Sequence, residues 1–128
     1  MNELTEFKKI QGQAIKRQIK SLSKSLEKRS NFFIKHSKRI LRVKQAKQDS
    51  TKDIFEETSL IAFYLKHLAK ILEKEKNELG KILDFLSQEL LREANTILAK
   101  VKDRQFSLEA VYFKEEIDRL RELAQNIE

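Results

Sequence analysis

"GKILDFLSQELLREANTILAK", residues 80–100, decides how the chain folds. Ile82, Leu83, Leu86, Leu90, Ala94, Ile97 and Leu98, continued by Val101, gather on one broad face of an α-helix at ~100° per residue. Across that face run Asp84, Gln88, Arg92 and Asn95, spaced four, four and three apart, as a polar stripe about 80° wide. Asn95 and Thr96 are poor helix formers set inside an apolar period, so the polar run asks for a role beyond helix formation. Glu93 sharpens the question. It falls between Ile82 and Leu86 on the helix wheel, inside the apolar arc, where an unpaired charge costs several kcal/mol. Two roles fit it: a structural ion pair with a Lys or Arg of another helix, or a carboxylate of a site.

The same period extends in both directions. In residues 3–47, Leu4, Phe7, Ile10, Ala14, Ile15, Ile19, Leu22, Leu26, Phe33, Ile40 and Leu41 mark one stripe of a long helix. Ile15, Ile19, Leu22, Leu26 and Phe33 approximate a heptad seam of the coiled-coil type, interrupted by Arg29. Such a helix is ~68 Å long at ~1.5 Å per residue, too long for one compact core, so part of the stripe is expected on partner helices or another subunit. Ser50, three residues before Asp53, has the spacing of a capping box and opens a second helix over residues 51–77. That helix is the most apolar and is expected to lie deepest. Gly80 reads as a break or a left-handed C′ position before a third helix at 81–102. Ser107 reads as the N-cap of a fourth, at 108–127. Short links favour antiparallel neighbours. The expected fold is all-α: an elongated antiparallel bundle of about four helices with a long basic first helix, forming one domain over residues 1–128.

Composition agrees. Pro is absent, Gly occurs twice and 37% of residues are charged, a poor basis for the turns of a sheet. With no Cys, disulfides, thiolate metal sites and cysteine nucleophiles are excluded, and a reducing cytoplasm is the default compartment. The longest apolar run, Leu60 to Leu65, falls far short of the ~18 residues of a membrane span, and no secretory h-region follows the N-terminus. The expectation is a soluble cytoplasmic chain. Its net charge of +7 is uneven: residues 1–52 carry 15 Lys and Arg against 4 Asp and Glu, and the remainder is net acidic. A basic rod on an acidic body suggests a polyanion, nucleic acid first and a membrane surface second; the alternative is a solvated, Lys-rich coiled-coil face.

The polar stripe of residues 84–95 also reads two ways. Its carboxylate, amides and guanidinium can hold a divalent ion through water, clamp a phosphate through Arg92 and orient a hydroxyl. As an ordinary solvated face, it is an Asp84–Gln88–Arg92 ladder worth a few tenths of a kcal/mol per pair. His67, beside Leu68, is either a core histidine or a general base or metal ligand, whereas His36 reads as surface. No P-loop, H-E-x-x-H pair, EF-hand loop or Ser-His-Asp pattern is present, and Tyr64 and Tyr112 are too isolated for a base-stacking platform.

Residues 80–100 strongly resemble the signature of the YicC-like family of bacterial endoribonucleases: Gly, a basic pair, Leu-Asp-Phe, Gln-Glu, Arg-Glu, then Ala or Ser before Asn-Thr. "RELAQNIE" (121–128) is similar to that family's carboxyl terminus, and "KKIQGQAIKRQI" (8–19) is loosely similar to the start of its C-terminal domain. The resemblance implies long helices, a ring-like homo-oligomer and metal-dependent cleavage of single-stranded RNA. By position it implies catalytic roles for Glu93, Arg92, His67, Asn95 and Thr96, and Mg²⁺ or Mn²⁺ held by Asp84, Glu89 and Glu93. RNA is expected along Lys16, Arg17, Lys20, Lys24, Lys28, Arg29, Lys35, Lys38 and Arg39. Asp53-Ile54-Phe55-Glu56-Glu57 resembles the family's Asp-x-x-Glu-Glu motif, but the charged pair that follows it in the family is replaced by the apolar stretch 58–65. The family's N-terminal domain has no counterpart in this sequence, so a separately encoded N-terminal half is an expected partner. The alternative function is a non-catalytic helical module for oligomerisation or RNA binding.

Overall fold

Among the residues that the computed structural model describes (2–45, 54–74 and 78–127), the apolar periods become four helices. They are α1 (Glu3–Gln45), α2 (Phe55–Glu73), α3 (Leu79–Lys100) and α4 (Arg104–Ala124). α1 packs on α2 and α4, and α3 packs on the same two helices, so each has two neighbours around a shared core. The all-α bundle expected from the periodicity is what forms. Ile19, Leu26 and Phe33 of α1 meet Ile61 and Leu68 of α2, Leu83, Leu90 and Ile97 of α3, and Phe106, Phe113 and Leu120 of α4, all fully buried. Each such large side chain contributes about 1.5–3 kcal/mol by leaving water.

The heptad-like seam of α1 is therefore the bundle's own core edge. Its aromatic end packs the Phe33 ring 5.3 Å from both Phe106 and Phe113. At 43 residues α1 is about twice as long as the other helices, ~65 Å, and outreaches them. Leu4, Phe7 and Ile10 stay exposed on its first turns.

Local signals fared unevenly. Ser50 and Asp53 lie outside the described residues; α2 begins at Phe55 after Ile54, which makes no side-chain cap. α2 buries Ile61, Leu65, Leu68 and Ile71, but its apolar residues spread around the cylinder and leave Phe55 and Phe63 largely exposed. Gly80 lies inside α3, and the left-handed residue is Glu78, with φ 68°. Gly80 is needed for closeness instead: a Cβ there would stand 3.1 Å from the Ala124 carbonyl and 3.3 Å from that of Ile127. α4 is capped by Asp103, whose Oδ2 accepts the Phe106 amide at 3.0 Å, and begins a turn earlier than Ser107 implied. The link of residues 101–103 leaves room only for an antiparallel α3–α4 pair.

Candidate functional site at the α2–α3 seam

The polar residues of α3 divide by flank. Glu89, Glu93 and Lys100 follow one another at spacings of four and seven, on the side of α3 that faces α2. From α2, Glu57 enters this seam and is only 6% exposed. Its Oε2 accepts the Lys100 ammonium at 2.9 Å, whereas its Oε1 is buried with no hydrogen-bond partner. Such an unmatched buried oxygen costs about 1–3 kcal/mol, more for a charged group. Glu93 lies half-buried on the same flank of α3, seven residues before Lys100. Burial and then the negative charge of Glu57 push the Glu93 carboxyl above its usual range; Arg92 opposes this, and Glu89 and Glu56 reinforce it. Tyr64, two turns after Glu57 on α2, is raised by burial and by Glu89 and Glu93, again opposed by Arg92. Three acids thus act on Glu93 against one arginine.

Arg92 is 75% exposed and only loosely held, its Nη1 lying 3.7 Å from Glu89 Oε2. Most of its five donors face solvent, as a phosphate clamp requires. Thr96 spends its hydroxyl proton on the Arg92 carbonyl at 3.0 Å. His67 is exposed, one turn beyond Tyr64, so the core-histidine reading does not hold. Asn95 is exposed and lies ~160° around α3 from Glu93, which separates the two.

Asp84 belongs elsewhere. Nine residues, or ~2.5 turns, put it on the opposite flank of α3 from Glu93. There it accepts Gln88 Nε2 at 3.0 Å and lies 3.5 Å from Arg121 Nε of α4, in ion-pair range without hydrogen-bond geometry. The solvated ladder thus forms only as Asp84–Gln88, and Asp84 does not join Glu89 and Glu93. Among the described residues no three His, Asp or Glu side chains converge closely enough to enclose an ion.

The basic candidates also divide. Arg17, Lys20, Lys24, Lys28 and Lys35 are exposed and Lys16 is half-buried. Arg17, Lys24, Lys28 and Lys35 fall within ~40° of one another on the helix wheel, a row ~27 Å long. The side chains of Lys38 and Arg39 lie outside the described residues. Arg29 is no part of the row. Its Nε and Nη1 each donate at 2.7 Å, to Glu116 and Glu109 of α4, and its guanidinium lies 5.2 Å from the centre of the Tyr112 ring. Burial lowers its pKa, and the hydrogen bonds and charges of Glu116 and Glu109 more than reverse that. The break in the heptad seam is a structural ion pair. α1 packs on α2, which itself exposes Lys66 and Lys70.

Sequence reasoning did not place Glu57 or Lys100 in the site. Glu57 was visible only as the last residue of the Asp-x-x-Glu-Glu resemblance, and nothing local tied it to a lysine 43 residues away. The signature run on α3 and this motif on α2 now share one seam. Over residues 5–128 the chain matches the family described as endoribonuclease YicC-like, C-terminal. The chain belongs to that family. A relative from Haemophilus influenzae, the probable endoribonuclease YicC, is 37% identical over 76 residues. That alignment covers 59% of this chain and 26% of the relative, so the chain corresponds to only part of the curated protein. No helix among the described residues is long and apolar enough to cross a membrane.

Proposed function

We propose that this YicC-like C-terminal domain cleaves single-stranded RNA at the α2–α3 seam, working in the cytoplasm. The observation that carries the reading is the meeting there of an exposed guanidinium, Arg92, with the half-buried Glu93 and the buried Glu57. Lys16, Arg17, Lys20, Lys24, Lys28 and Lys35 of α1 attract the phosphate backbone, and Lys66 and Lys70 continue the basic surface over α2 towards the seam. Arg92 holds the scissile phosphate, and Glu93 exchanges the proton of the attacking or leaving oxygen, with exposed His67 as its partner in acid–base work.

The family implies a divalent ion, and the seam fits one in a restricted sense. Glu57 Oε1 is an orphaned buried oxygen beside a second carboxylate, and Mg²⁺ needs only one or two carboxylates because it keeps several waters. Glu57 and Glu93, with Glu89 at the rim, are the residues that would hold it; Asp84 is not among them. Bound there, the ion would supply charge stabilisation at a phosphoryl oxygen. Self-association is part of the proposal too, through the exposed Leu4–Phe7–Ile10 stripe of α1.

The test is an unstructured RNA incubated with the chain and Mg²⁺ or Mn²⁺, beside a gel-shift assay. Cleavage should be lost in Glu93→Gln and Arg92→Ala while both still bind RNA. Lys24→Glu with Lys28→Glu should weaken binding and make its salt slope shallower by about 0.7 for each phosphate no longer neutralised. RNA binding with no metal-dependent products would leave only the non-catalytic module, and full cleavage in both seam variants would sink the assignment.

A further inference from the structure

Lys100 is the feature of the seam that a phosphodiesterase reading leaves unused. Its ammonium sits on Glu57 Oε2, the one strong contact of a carboxylate whose other oxygen has nothing to bind. The two partners are unlike: Glu57 is only 8% exposed at its side chain, and Lys100 is 40% exposed. The carboxylate is fixed in place, while the ammonium stands at the edge of solvent on a flexible stem and is strongly hydrated when it leaves. A buried carboxylate deprived of its lysine needs another cation at once. Glu93, on the same flank of α3 as Lys100 and within reach of the Glu57 charge, supplies a second carboxylate, so the replacement with the most favourable charge is divalent.

We propose that Lys100 is the resident cation of a two-carboxylate site, and that a divalent ion binds Glu57 and Glu93 by displacing the Lys100 ammonium from Glu57. Lys100 then sets the site's affinity. With the lysine in place the acidic seam is held together without metal; once the ion enters, Lys100 is released towards the rim where Arg92 already faces solvent. This inference rests on the metal-dependent reading above and adds to it a competitor, Lys100, for the Glu57 carboxylate.

The experiment is Mn²⁺ binding to the full 128-residue chain without RNA, followed by the electron-paramagnetic-resonance signal of free Mn²⁺ and by calorimetry, with Mg²⁺ as competitor. Removing the competitor in Lys100→Met should tighten Mn²⁺ binding roughly 3- to 10-fold. Glu57→Gln should weaken it about 10-fold or more, alone and combined with Lys100→Met. Circular dichroism checks each fold, and Lys100→Gln, which can still hydrogen-bond Glu57 without charge, replaces Lys100→Met if the latter does not fold. Equal or weaker binding in the folded Lys100 variant, unchanged binding in Glu57→Gln, or no Mn²⁺ binding by any of the proteins overturns the proposal. Because no RNA is present, a failure here leaves the endoribonuclease reading to its own assay. Conversely, the predicted Mn²⁺ series without RNA cleavage upholds the exchange and removes the nuclease.

Discussion

Two seams of this bundle carry charge, and they are built in opposite ways. Between α1 and α4, Arg29 donates to Glu109 and Glu116, and Ser25 donates its hydroxyl proton to the remaining oxygen of Glu116. Between α2 and α3, Glu57 has one cation and one empty oxygen, and Glu93 sits among acids with its carboxyl pushed up by burial and by Glu57. The first arrangement joins two carboxylates to one guanidinium through a directed, charge-assisted hydrogen bond to each, as a structural network does. The second leaves a buried carboxylate oxygen unmatched among several acids, at some cost in stability, the pattern that functional sites show. The difference singles out the α2–α3 seam for the proposed chemistry, whereas the signature of residues 80–100 runs along α3 alone.

If the α1–α4 seam holds the fold, damage there should be severe. Phe33→Ala, which empties the space between Phe106 and Phe113, should cost about 3–5 kcal/mol in urea unfolding. Arg29→Met strands Glu109 and Glu116. A fully buried pair broken in this way costs about 3–5 kcal/mol; with Arg29 about a quarter exposed, the loss should be about 2–3 kcal/mol. A loss below about 1 kcal/mol would mean that this network is a surface ornament and would erase the contrast.

The α2–α3 seam should respond in the other direction. Glu93→Gln removes one of several clustered negative charges, so the metal-free protein should gain up to about 1 kcal/mol of stability. Asp84→Asn, on the opposite flank of α3, should change stability by less than about 0.5 kcal/mol and leave Mn²⁺ binding as it is. Loss of Mn²⁺ binding in that variant would put Asp84 back among the ligands and break the division of α3 into two flanks.

Much of this was legible in the residues. The three-to-four spacing of Ile82 through Val101 and of Ile15 through Phe33 led to the right helices, because a buried stripe needs only local periodicity to show itself. Glu93 was visible as a carboxylate in an apolar arc, and the nine-residue step from Asp84 could have shown that the two cannot share an ion. Arg29 was visible as an interruption, but its partners are 80 and 87 residues away and only the fold brings them in. Gly80 misled for a different reason. A glycine between two apolar periods has the look of a helix stop, whereas its role is to let the start of α3 approach the carbonyls at the end of α4. Glu57 showed only as the end of a motif and Lys100 as an ordinary member of an amphipathic helix until the α2–α3 pairing joined them.

The central claim is that the unbalanced seam does the chemistry and the balanced one does not. Single-turnover cleavage of an unstructured RNA by Glu93→Gln, beside Glu116→Gln assayed at a temperature where both variants are folded, tests it most directly. The account predicts a loss of about 100-fold or more for Glu93→Gln and a change within about threefold for Glu116→Gln. Cleavage by Glu93→Gln at the wild-type rate would contradict it.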